Sequence, residues 1–125
     1  MKVAQGFKTV IVAGLMTLGA ATANADVIQF GSALGPEVTG ATGDGSVRVD
    51  YDDVEHTLRI VANWTGLSGT TTIAHIHCCV APPGTVGVAV TPGTLPDFPV
   101  GLTAGSYVSA LIDLDLAASF TTAFL

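Results

Sequence analysis

After residue 26 the hydropathy pattern is almost entirely of period two, and this spacing restricts the available folds more than any other feature of the chain. Val47, Val49 and Tyr51 alternate with Arg48 and Asp50. Leu58, Ile60, Ala62 and Trp64 share one parity, with Thr57, Arg59 and Asn63 on the other. A strand sends successive side chains to opposite sides, so runs of this kind bury one face and wet the other. Asp52-Asp53 between the two runs reads as a turn, and the pair as a hairpin. Val27 to Leu34 is a first strand, closed by Gly35-Pro36 and by the Gly/Thr/Ser-rich stretch from Thr39 to Ser46. After the turn Gly66-Leu67-Ser68-Gly69, Thr70 to His77 is the next strand. Tyr107 to Leu116 is a later one, with Ala110, Ile112 and Leu114 opposed to Ser109, Asp113 and Asp115. Five of the six prolines fall between Ala81 and Pro99, a stiff surface connection interrupted by the apolar piece Val86 to Val90. Ala117 to Phe124 has room for one or two helical turns, and no longer helical period exists beyond residue 26. Many short strands with Gly/Pro turns predict an all-β antiparallel sandwich or barrel.

The first 25 residues follow a different rule. Lys2 and Lys8 precede an uncharged, mainly apolar run from Thr9 to Ala21, and Ala23-Asn24-Ala25 places small residues where a signal peptidase reads them. A membrane-spanning helix needs about 20 apolar residues, more than this run supplies. The expectation is a secretory signal cut between Ala25 and Asp26. Residues 26–125 then form one secreted or periplasmic domain with no membrane segment.

Charge narrows the partners. The chain carries 4 Lys+Arg against 10 Asp+Glu, and from Asp26 onward only Arg48 and Arg59 oppose all ten acids. No basic patch is left to meet a phosphate backbone or an anionic lipid surface, so nucleic acid is not an expected partner. The remaining expectation is an extracellular protein or matrix partner. Self-association is also expected, because the apolar ending Phe120 to Leu125 leaves apolar surface and an open strand edge. Either a partner covers it, or the sequence is a shortened form of a longer one.

One cluster could carry chemistry. In Ala74-His75-Ile76-His77-Cys78-Cys79, strand parity puts His75 and His77 on one face and Ala74, Ile76 and Cys78 on the other. Two imidazoles about 7 Å apart can share a copper or zinc ion, and Cys79 has the parity to join them. The alternative is structural: two histidines hydrogen-bonded to nearby backbone, and two cysteines filling small gaps. A transition metal needs three or four ligands, and His56 is the only other histidine, so no cofactor is the expectation. An exported chain also permits a disulfide between the neighbours Cys78 and Cys79, which would staple nothing distant. Asp50, Asp52, Asp53 and Glu55 lack the glycine spacing of a calcium loop and read as a solvated turn. Asn63-Trp64-Thr65 fits a glycosylation sequon. No nucleophile motif or phosphate-binding loop is present, so a non-enzymatic role is expected.

The segments Leu67-Ser68-Gly69, Ile73-Ala74-His75-Ile76-His77, Pro83-Gly84 and Gly87-Val88-Ala89 together resemble the CHRD domain, named after chordin and found in many exported bacterial proteins. Phe30, Leu34 to Val38 and Gly40 to Gly43 are similar to its opening segment. Cys78-Cys79 with Phe98 to Gly101 resembles a bacterial subgroup. The resemblance implies an immunoglobulin-like, Greek-key β-sandwich and a binding or structural role. The family's closing Asn-Ile-His and Gly-Glu-Ile-Arg-Gly runs have no counterpart here. Gly66 to Gly69 followed by His75-Ile76-His77 is also similar to the copper-binding strand of Cu/Zn superoxide dismutases. Those enzymes need further histidines and an arginine, and beyond residue 77 this sequence has neither.

Overall fold

The computed structural model describes residues 26–81, 84 and 86–125. The expected signal segment, its Ala25 side of the cleavage site, and Pro82-Pro83 of the stiff connection lie outside those residues. The described chain is β1 (Val27–Leu34), β2 (Asp44–Asp52), β3 (Thr57–Thr65), β4 (Ile76–His77), β5 (Val88–Val90), β6 (Gly105–Val108) and β7 (Ile112–Asp113). A single 3-10 turn follows at Ala117–Ser119.

The alternation sets the register. β2 and β3 pair antiparallel with Val47 opposite Ala62, Val49 opposite Ile60 and Tyr51 opposite Leu58. β1 joins the other side of β2, placing Phe30 opposite Val49 and Ile28 opposite Tyr51. β6 joins β3 with Tyr107 opposite Ala62 and Gly105 opposite Trp64, and β7 continues along β3 with Ile112 opposite Leu58. Directly opposed residues share a face, so every inward residue of the hairpin falls on one side of a sheet ordered β1-β2-β3-β6. β4 and β5 form a second, two-stranded antiparallel sheet. Ala89 and Val90 of β5 enter the same buried cluster as Ile60, Trp64, Leu95, Tyr107 and Ile112. Two antiparallel sheets around one core make an all-β sandwich.

The hairpin turn is built by Asp52, whose Oδ1 accepts the N–H groups of Val54 (3.0 Å) and Glu55 (2.9 Å). His56 closes it with φ of 48° and a 3.0 Å contact from Nδ1 to Asp115 Oδ1.

Two strand expectations need correction. Of the strand expected over Thr70 to His77, only Ile76–His77 is a strand. The backbone before it divides its hydrogen bonds between loops: Thr71 bonds with Gly101 and Leu102, and Ala74 accepts from Leu95. The long run Tyr107 to Leu116 breaks into β6 and β7, with a change of phase between them. Ser109, expected to face out, is buried. Its hydroxyl accepts the Ile60 N–H and its own N–H donates to Ile60 O, both at 2.9 Å. Ala110 and Leu111 then face water before Ile112 turns in. The hydroxyl takes the hydrogen bond a strand carbonyl would accept, and β6 ends there.

The end of the chain is tied down more than its composition suggests. Thr121 N–H donates to Ala89 O at 2.9 Å, Phe120 packs on the core, and Phe120 stacks on Phe124 at 5.3 Å. β1, by contrast, is exposed along its whole length.

Candidate functional site: an apolar cleft and a histidine pair

The inward face of the large sheet is not fully covered. Between it and the segments around Thr71–Ile76 and Leu95–Phe98 lies an open cleft of about 670 Å³. Phe30 and Leu34 of β1, Val49 of β2 and Trp64 of β3 line it, with Leu67 and Phe98 from the loops. Trp64 sits between two glycines in register, Gly45 on β2 and Gly105 on β6. A Cβ at Gly105 would lie 2.8 Å from Trp64 Cζ2, so only glycine admits the indole there. The indole packs on Phe98 with centroids 5.4 Å apart, and Phe98 meets Tyr107 edge-on at 5.2 Å. Tyr107 donates its hydroxyl to Pro96 O at 2.6 Å. Burial, and then the nearby Asp97 carboxylate, push the Tyr107 phenol above its ordinary pKa. The tyrosine therefore stays neutral at the cleft floor. The family resemblance includes Leu67 and Phe98, but alternation alone does not mark either as a cleft residue. The available signal was a set of isolated apolar residues, Leu95 and Phe98, inside a proline-rich stretch.

His75 contributes to the lining of this cleft. Ala74, Ile76 and Cys78 pack on the core, while His75 is half-buried at the cleft and His77 is exposed. Their rings meet edge to face with centroids 5.0 Å apart. His77 Nδ1 lies 2.6 Å from Val86 O, and His77 Nε2 lies 3.2 Å from His75 Nδ1. A carbonyl only accepts, so His77 Nδ1 donates to Val86 O, and in the neutral pair the His77 Nε2 lone pair accepts from His75 Nδ1–H. Two nitrogens 3.2 Å apart also have the spacing of neighbouring ligands on a tetrahedral ion with metal–nitrogen distances of about 2.0–2.1 Å. Fixing the far nitrogen on a backbone carbonyl is how metal-ligating imidazoles are commonly held.

Cys79 is not placed as their third partner. The strand ends at His77, and the Cys79 sulfur lies against that of its neighbour Cys78 rather than with the two imidazoles. His56 is held at the hairpin turn by Asp115. Among the described residues no group of three or more His, Cys, Asp or Glu is arranged around a common point. Some of the acidic residues are engaged locally: Arg48 pairs with both oxygens of Asp50 at 2.8 and 3.0 Å, and Asp113 Oδ1 accepts the Asp115 N–H. Asn63, in the sequon, donates to Ser46 Oγ at 2.8 Å on the outer face of the sheet.

The model of the CHRD domain matches residues 10–121, nearly the whole chain. The chain belongs to the CHRD-domain family. No curated protein and no solved structure matches it. In this CHRD domain some of the segments that carry the resemblance meet at the cleft. Leu67 lines it, Thr42 Oγ1 donates to Gly66 O at 2.9 Å, and Ala74, His75 and Ile76 form part of its wall. Among the described residues no helix is long and apolar enough to cross a membrane.

Proposed function

We propose that this CHRD domain is an exported, non-enzymatic module that works by binding an extracellular or periplasmic protein or matrix partner. The open apolar cleft carries this reading. Contiguous apolar surface of this kind is uncommon on a protein with nothing to bind, and the hydroxyls of Thr42, Thr71 and Tyr107 that line it already donate to backbone carbonyls. The acidic surface favours a neutral or basic partner and disfavours nucleic acid.

The test begins with export. Expression of the complete chain in a bacterial host should yield exported protein whose first residue is Asp26, read by intact mass. That protein, titrated with the apolar dye Nile red, should bind it saturably and quench Trp64, the chain's single tryptophan. Phe30→Glu places a carboxylate at the cleft mouth and should weaken binding about tenfold, a change of roughly 1.4 kcal/mol. An exported chain that retains Met1, or dye binding indifferent to Phe30→Glu, defeats the proposal.

The 3.2 Å contact between His77 Nε2 and His75 Nδ1 favours a second reading, a copper or zinc carrier. Two ligands hold such an ion weakly without a third. The first reading therefore expects no stoichiometric metal after dialysis of zinc- or copper-loaded protein against a weak chelator. It also expects His75→Gln with His77→Gln to lower stability by only about 1 kcal/mol, the worth of an ordinary hydrogen bond or two. Retention of close to one equivalent of metal, abolished by the double replacement, establishes the carrier instead.

A further inference from the structure

β1 forms one border of the large sheet, and among the described residues no strand pairs with its outer side. Natural edge strands are usually short, bulged, or interrupted by proline or charge. β1 has none of these protections. Its eight residues, VIQFGSAL, contain no charge and no proline, its register with β2 runs unbroken from Val27 to Leu34, and all eight residues are exposed. The backbone there offers a full row of donors and acceptors.

We infer that this edge pairs with the same edge of a second copy of the chain, antiparallel about a two-fold axis at Gly31. A second copy suits the edge because β1 carries no charge, whereas the domain as a whole is strongly acidic. Two copies can approach along β1 without setting carboxylates against each other. Only an even register keeps the cleft-facing residues of both copies on the same side, since a one-residue slip reverses every side chain. Centring on Gly31 sets Ile28 against Leu34 of the second copy twice over, and Phe30 against Ser32. Centring on Phe30 would set Leu34 against the Asp26 carboxylate, and centring on Ser32 would shorten the ladder. The Gly31 register unites two sheets into one, and it brings the two clefts side by side. It does not depend on what the clefts bind.

The experiment uses the exported chain. It should elute at twice the monomer mass at micromolar concentration. Gly31→Cys adds a side chain on the outer face, where a Cβ meets only Val47 O at 3.8 Å. Across the axis its Cα would stand about 4.5–5.5 Å from its mate, within disulfide range. This variant should therefore oxidise to a covalent dimer that reductant separates. Gln29→Cys lies on the same face, but about 13 Å along the ladder from its mate, and should not cross-link. Gly31→Lys sets two ammonium groups together and should raise the dimer dissociation constant about tenfold or more with the circular dichroism unchanged. A wild-type monomer overturns the proposal, as does Gln29→Cys cross-linking as readily as Gly31→Cys, or a dimer indifferent to Gly31→Lys.

Discussion

Trp64→Ala is expected to lower stability by about 3 kcal/mol or more, the lower part of the range for deleting a buried large aromatic. Among the described residues the core contains seven buried apolar residues, and Trp64 is the largest of them. It joins β3 to Phe98 from the proline-rich stretch, and it packs across Gly105 on β6. Removing it disconnects three parts of the chain together. Two features limit the loss. The indole borders a cleft that water already reaches, and its Nε1 has no hydrogen-bond partner to lose. Single domains are typically stable by about 5–15 kcal/mol, so the variant should spend a large part of that margin. For a domain of this size the midpoint should fall by about 12 °C or more, at about 4–8 °C per kcal/mol. Trp64→Phe keeps the contact with Phe98 and should cost less than half as much. Thermal melts followed by far-ultraviolet circular dichroism would decide it. A loss below about 1 kcal/mol for the alanine variant would show that the aromatic ladder does not hold the two layers together.

Period two made the large sheet legible. β1 has the bounds its apolar run gave, and the hairpin register follows the parity of Val47, Val49, Leu58 and Ile60. Where one face is buried, parity and burial coincide, and the sequence carries the answer. The pattern failed where backbone hydrogen bonds went elsewhere. Thr70 to Ile73 are all β-branched, as strands favour, yet the backbone partners of Thr71 and Ala74 are loop residues brought close by tertiary contacts that no local pattern encodes. Ser109 is polar and buried because its hydroxyl serves a backbone N–H, a role that hydropathy reads as exposure. The side of the His75–His77 run that packs on the core was readable from parity. The cleft was not readable, because it depends on loops around Leu67 and Phe98 closing over one part of the sheet and leaving β1 bare.

Gly45→Ala should be the most damaging single-methyl change in the large sheet, while the same change at Gly31 should be neutral or slightly stabilising. Both glycines lie in paired strands, and neither has a positive φ, so backbone conformation does not separate them. Space does. A Cβ at Gly45 would lie 2.1 Å from Asn63 O and 3.0 Å from Trp64 Cα, all backbone atoms of β3 that cannot swing aside. Relief requires β2 and β3 to separate at the point where Trp64 enters the core. Overpacking typically costs about 1–3 kcal/mol, and a clash with rigid backbone belongs at or above the top of that range. At Gly31 the nearest atom is Val47 O at 3.8 Å, an ordinary contact. There the methyl mainly restricts the unfolded chain, which favours the folded state by about 0.4–1 kcal/mol. Urea unfolding of both variants beside the parent gives the comparison directly. Opposite signs, separated by about 3 kcal/mol, are the expected result. Equal effects at the two positions would mean that β2 and β3 do not approach as closely at Gly45 as described, and that the register around Trp64 is different.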